Sequence, residues 1–281
     1  MGFFDRLANG WSLAWESVKI VWANKKLMVF PIISTIVLVL VLGSFTGVLF
    51  GTGTVDALLE EGEGGRTTQE EVLGYVLLFA FYFVSWFIII FFNMALIHCA
   101  NYAMNGAEFS VGTGLSFSFS RIGAVAGWAL VSATVGVILR IIEDRSDRIM
   151  QIVVSLIGMA WAILTFFVIP VIAYEDLGPF AAIKRSGELF KRTWGERVGA
   201  RFAFGLVGFA LVLLIALPVG ILLFLVHPVA GIVGAILCIV VISVLTATAQ
   251  TVFKAAAYQY AIGRPVESFS SQRLENAFAP R

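Results

Sequence analysis

Residues 166–197 read FFVIPVIAYEDLGPFAAIKRSGELFKRTWGER. Here an apolar run ends, the chain turns, and a basic helix begins. Upstream, no charged residue occurs from Ile149 to Tyr174. At about 1.5 Å per residue such a run reaches roughly 39 Å as a helix, enough to cross a hydrocarbon core of about 30 Å with some tilt. Glu175 and Asp176 close the run, and Gly178 permits a change of direction. Pro179 suits the first position of a new helix, where its missing N–H needs no partner. In that helix Phe180, Ile183, Phe190 and Trp194 fall on one side at helical spacing. Lys184, Arg185, Lys191 and Arg192 fall on the other, with Glu188 four residues from both Lys184 and Arg192. Such a helix lies in the headgroup layer, its basic face toward anionic lipid headgroups. Packing on the underside of the membrane domain is a compatible alternative.

Composition extends this unit to the whole chain. Hydrophobic residues make up 59% and charged residues 13%, against about 25% charged in soluble domains. The expected fold is all-α, a polytopic membrane bundle forming one integral membrane domain over 1–281. A net charge of +1 supplies no global field for nucleic acid. Cys99 and Cys238 read as small apolar residues rather than a disulfide or metal pair.

Residues 1–26 are not a secretory signal. Phe3, Phe4, Leu7, Trp11, Ala14, Trp15, Val18, Val21 and Trp22 recur every three or four residues among polar ones, predicting an interfacial amphipathic helix. An uncharged run, Leu27 to Val55, follows, with Gly43, Gly47 and Gly51 four apart. Small residues so spaced allow close helix approach, within the chain or between chains. Gly123 and Gly127 repeat that spacing in the third run, Ile122 to Leu139. The acidic stretch 56–71, DALLEEGEGGRTTQEE, reads as a solvated loop without calcium-loop spacing. Val72 to Ile97 returns across the bilayer, and Arg140 near the end of the third run is placed to pair with Glu143 or Asp144. Phe202 to Phe253 is uncharged and too long for one crossing, so it folds back, with His227-Pro228 the expected turn.

Six spans result, and the basic residues orient them. The amino end, the segment 101–121, the segment after Glu175 and the carboxyl end from Lys254 onward hold 4, 1, 6 and 4 Lys or Arg residues, and the other side holds 4 of the 19. Both termini are therefore expected in the cytoplasm. A repeat marks each cytoplasmic exit: Tyr102 then Gly106, Tyr174 then Gly178, Tyr260 then Gly263. The organisation that follows is three hairpins, each led in by a cytoplasmic segment: an interfacial helix 1–26 with hairpin one over 27–101, a surface segment and hairpin two over 102–177, a basic helix and hairpin three over 178–254, and a tail 255–281. The weakest entry segment, GTGLSFSFSR before span three, equally suits an extended strand.

The run PVIAYEDLGPFAAIKRSGELFKRTWGE and the ending AYQYAIGRPVESFSSQRLENAFAPR together resemble an uncharacterised family of prokaryotic integral membrane proteins, a domain-of-unknown-function family, over nearly the whole chain. More distantly, the architecture is similar to the membrane domains fused to some glycerophosphodiester phosphodiesterases, without their catalytic domain. The resemblance implies a six-helix inner-membrane protein and no activity, ligand or site residue.

No zinc helix, nucleophile elbow or phosphate loop occurs, so an enzyme is not expected, nor any cofactor or metal. Intramembrane charges that mark ion paths are essentially absent as well. The polar chemistry is neutral: Asn93, Thr165 and Gln250 lie in spans two, four and six, nine or ten residues before the repeat tyrosines. They can converge on a polar layer or small cavity, or simply bond neighbouring helices. Two readings follow: a non-enzymatic scaffold or lipid-interacting protein, with Lys184, Arg185, Lys191 and Arg192 on lipid headgroups, or a transporter or channel for a small solute or lipid through the polar layer.

Overall fold

Inside lipid, a backbone without water must satisfy its own N–H and C=O groups, and a continuous apolar run does so by coiling into a helix. The computed structural model describes residues 14–51, 68–144, 147–194 and 208–264, and every regular element among them is helical. Helix α1 covers 14–23 and leads through a 3-10 turn, Lys25–Met28, into α2, Val29–Gly51. Then follow α3, Thr68–Met104; α4, Val111–Ser120; α5, Ile122–Asp144; α6, Arg148–Leu164; α7, Val168–Glu175; and α8, Pro179–Trp194. Helix α9, 208–226, and α10, Pro228–Ala261, complete the order. Six stretches are long and apolar enough to cross a membrane: Lys25–Gly51, Val72–Met104, Ile122–Asp144, Met150–Glu175, Gly208–Val226 and Pro228–Ala261. The chain is thus a multi-pass membrane protein. The last four residues of the stretch read as a solvated loop, 68–71, are instead the first turn of α3, while its residues 56–67, the start of the amino-terminal helix and the tail beyond 264 lie outside the described residues.

Prolines shape two of the spans. Pro170 offers no N–H to the Phe166 carbonyl, and the single helix expected over 149–174 is two, α6 and α7, joined by a turn at 165–167. The Val168 N–H reaches the Thr165 carbonyl at 3.2 Å, and the Phe167 N–H donates to Ser186 Oγ at 2.9 Å. In α9 a π turn, Val212–Ala216, lies just ahead of Pro218, where a wider turn accommodates the missing donor. At the expected fold-back His227 is extended and Pro228 opens α10.

The core sits at the end of the bundle where α1, α4, α7 and α8 gather. Val168, Pro170, Val171, Ile172 and Ala173 of α7 are all buried, as are Met94, Ala95, Ile97 and Ala100 of α3 and Ala249, Val252 and Ala256 of α10. Beyond Ser34, by contrast, α2 buries nothing, and much of α9 is exposed as a lipid-facing helix would be.

Three short helices pack on this core through small residues and a serine: Ala14, Ser17 and Val21 of α1, Gly114 and Ser118 of α4, and Ala182, Ser186 and Leu189 of α8. The stretch that equally suited a strand is α4, capped by Ser110, whose Oγ accepts from the Thr113 N–H at 3.0 Å. Its approach to α3 is close: a Cβ on Gly114 would stand 2.7 Å from Cys99 Sγ and 2.9 Å from the Ala95 carbonyl oxygen. The buried face of α8 differs from the expected one. Phe180 is 77% exposed, while Ile183 and Phe190 are half-buried beside Ala182 and Ser186, because small side chains let the helix axis approach most closely.

Within the chain, close glycine contact between spans falls elsewhere than at these positions. A Cβ at Gly43, Gly47, Gly51 or Gly123 would meet nothing within 4 Å, and one at Gly127 would lie 3.2 Å from Pro179. Tight contacts join α9 to α10, where a Cβ on Gly231 would lie 2.5 Å from Phe224, and α5 to α3, where one on Gly136 would lie 2.9 Å from Tyr82.

Candidate functional site

Asn93, Thr165 and Gln250 line one open cavity of about 340 Å³ bordered by α3, α5, α6, α7 and α10. Their separation along the chain is large, so only packing brings them together. Each is held differently. Asn93 Nδ2 donates to the Ile89 carbonyl at 2.9 Å, and its Oδ1 accepts from Thr251 Oγ1 at 3.1 Å, tying α3 to α10. Thr165, in the turn ahead of α7, donates to the Trp161 carbonyl at 2.8 Å. The Gln250 side chain makes no hydrogen bond among the described residues, so its amide is available to a ligand.

The remaining wall is mostly apolar and rich in indole. Trp86, Trp128 and Trp161 line it, the last two stacked with centroids 5.9 Å apart. Ser132 adds a hydroxyl and Lys254 a cation, whose ammonium stands 5.7 Å from the Phe166 ring centroid. A second cavity of about 250 Å³ lies against α2, lined by Ser34 and Thr35 and sharing Asn93, Gln250, Thr251 and Lys254 with the first. Apolar walls, a few convergent polar groups and a volume near the lower end of the usual range are the marks of a small-ligand pocket.

Lys254, Thr251 and Ser132 escaped the sequence reading. For Lys254 a signal existed: it stands four residues after Gln250, one turn along the same helical face. Its position at the end of the uncharged run made it look like a boundary charge. Ser132 had no signal, since a serine in a span is unremarkable without its neighbours.

The basic helix divides its charges. Lys184 and Lys191 are exposed, whereas Arg185 turns inward and donates Nε to Glu175 Oε2 at 2.8 Å, with Glu188 at 3.9 Å. The Glu175 bond raises the affinity of the Arg185 guanidinium for its proton above the usual arginine range. The Arg192 side chain lies outside the described residues. Glu175 Oε1 also accepts from Tyr258, so one carboxylate links α7, α8 and α10. Arg121, at the end of α4, pairs with Asp176, and Arg140 pairs with Glu143 and Asp144 at 3.5 and 3.2 Å, as its spacing predicts.

The repeat boundaries resolve into two equivalent caps and one variant. Gly106 and Gly263 take positive φ, 67° and 77°. At each, the glycine N–H and the next N–H bond back to carbonyls three and five residues earlier, closing the helix with a Schellman cap. At the middle boundary Asp176, φ 54°, takes the left-handed position rather than Gly178. The tyrosines differ too: Tyr102 is partly exposed, and Tyr174 is half-buried and stacked on Tyr258 with centroids 5.9 Å apart. Tyr260 is also half-buried.

Comparison with known proteins gives one family match: residues 72–266 fit a family of unknown function (DUF6159). That range begins at the second span and leaves α1 and α2 outside it. No curated protein and no solved structure matches the chain.

Proposed function

The chain belongs to this family of unknown function, and on that footing we propose that it is a non-enzymatic, lipid-interacting membrane protein that holds an amphiphile in the cavity between α3, α5, α6 and α10. One observation carries the proposal. Asn93, Thr165 and Gln250 come from three different spans yet line one cavity whose other walls are largely hydrocarbon and indole. A polar layer inside an apolar, aromatic pocket matches a molecule with both characters.

In the same reading the protein sits in a prokaryotic cell membrane with both termini in the cytoplasm, as three hairpins each led in by a surface helix. Exposed Trp15 and Trp22 of α1, Phe119 of α4 and Phe180 of α8 supply aromatic anchors at headgroup level. Lys184 and Lys191 meet anionic headgroups there, while Arg185 holds α8 against α7. The scaffold role and the lipid site are then parts of one surface-and-cavity design.

Transport of a small solute is the second reading. The second cavity favours it, because Asn93, Gln250 and Thr251 border both spaces and the bond from Thr251 to Asn93 stands between α3 and α10. The test is purification of the full chain into lipid nanodiscs, native mass spectrometry of retained lipid, and flux in liposomes. Retained lipid that is lost when Gly158→Phe and Ala162→Phe fill the cavity supports lipid binding. Solute flux abolished by Asn93→Leu or Gln250→Leu supports transport instead.

A further inference from the structure

Ser132 of α5 is only 5% exposed, lines the larger cavity and makes no hydrogen bond among the described residues. A hydroxyl withdrawn from water without a partner is costly, so one bordering open space is set to bond what fills it. From α10, Gln250 presents its unbonded amide to the same space. The other polar groups there are engaged: Thr165 donates to the Trp161 carbonyl, Asn93 Oδ1 accepts from Thr251, and the Lys254 ammonium stands over the Phe166 ring. What remains for a ligand is neutral and rich in donors, two N–H from Gln250 and one O–H from Ser132. The cavity is also long. Its lining runs from Trp86 to Ile97 on α3 and from Trp128 to Leu139 on α5, in each case about 16 Å at the helical rise. That is close to half of a hydrocarbon core about 30 Å thick, the depth of one leaflet. Towards Trp86 and Leu139 the walls are indole and aliphatic, with Ile89, Val135 and Gly158 beside them. A volume of about 340 Å³ over that length leaves room for a single chain.

We propose that the cavity takes one acyl chain by its ester group, whose oxygens accept from the Gln250 amide and the Ser132 hydroxyl while the chain runs towards Leu139. This rests on the lipid-binding reading of the cavity and names the group it recognises. An ester brings oxygen acceptors and no proton of its own, which matches donors without partners. It also brings no charge between apolar walls. An amine is the poorer match, because no carboxylate lines the space among the described residues. The ether analogue of the same lipid fills the same volume but lacks the carbonyl, so it isolates the contribution of these two side chains.

The experiment offers the full chain nanodiscs of equal ester-linked and ether-linked phosphatidylcholine, matched in chain length, and reads retained lipid by native mass spectrometry. The wild type is expected to retain the ester form with a preference of about fivefold, the scale of one neutral hydrogen bond. Gln250→Leu should bring the ratio near one, and Ser132→Ala, a change too small to disturb packing, should lower it. Thr35→Val, which borders only the second cavity, should leave it unchanged. A parallel arm adds methyl palmitate. Its retention in place of phospholipid assigns the site to a free acyl ester, retention of the phospholipid assigns it to a membrane glycerolipid, and either supports an acyl-ester site. Equal retention of ester and ether forms by the wild type overturns the proposal, as does a preference kept in both Gln250→Leu and Ser132→Ala or lost in Thr35→Val alone. Lipid retained unaltered by the cavity-filling pair Gly158→Phe and Ala162→Phe sinks the underlying lipid reading. Equal retention of both forms that is lost in that pair leaves the lipid reading standing without the ester site.

Discussion

The hydroxyls of Ser186 and Ser118 show how unequal two buried bonds can be. Ser186, fully buried, accepts the Phe167 N–H in the turn where the helical ladder is broken. Ser186→Ala therefore strands a buried donor, and a loss of roughly 1–3 kcal/mol is expected, read as a lower melting temperature in detergent and faster exchange of the Phe167 amide. Ser118 donates to the Phe91 carbonyl, an acceptor with a second lone pair inside a regular helix. Ser118→Ala should cost less, about 0.5–1 kcal/mol in the same melt. Asn93 and Thr251 allow a cleaner measurement, since each touches the other across two spans. A double-mutant cycle of Asn93→Leu and Thr251→Val is expected to yield a coupling of roughly 0.6 kcal/mol, the ordinary size for hydrogen bonds between membrane helices. Asn93 and Gln250 were legible as candidates because a polar side chain in an apolar run is conspicuous. Their shared cavity was not legible, because no local pattern encodes which faces of distant helices meet.

Among the elements, α4 and α8 carry the clearest lesson about faces. The α8 stretch was read from its large apolar residues and the α4 stretch as one equally suited to a strand, yet both dock through small residues: Gly114 with Ser118, and Ala182 with Ser186. Gly114→Leu should push α4 off α3, since the new Cβ would overlap Cys99 and the Ala95 carbonyl. A cost of about 1–3 kcal/mol is expected, seen as a drop in melting temperature. Gly47→Leu, where a Cβ meets open space, should stay within about 0.5 kcal/mol in the same assay. A large change in Gly47→Leu would place a partner against that face of α2, and cross-linking would then reveal it. The break between α6 and α7 follows a similar logic. Pro170 announces an interruption, but where the turn falls depends on Ser186 from another helix.

The whole molecule is best tested by its orientation. Enzyme-reporter fusions after residue 281 are expected to report the cytoplasm, and fusions within the acidic stretch 56–71 the opposite side. The reverse pattern would overturn the cytoplasmic placement of the surface helices and the assignment of Lys184 and Lys191 to inner-leaflet headgroups. Membrane class and the six apolar crossings could be read from the chain alone, because hydropathy accumulates residue by residue over a window about as long as a bilayer is thick. The turn at His227 and Pro228 and the end of α3 at Gly106 were readable for a related reason: proline and glycine act on their own backbone. Tertiary structure alone decided that Asp176 rather than Gly178 takes the left-handed turn, that Arg185 pairs with Glu175, and that Lys254 joins Asn93 and Gln250 around one cavity. Those outcomes depend on contacts between residues far apart in the chain, whose energies arise only when the helices are within touching distance.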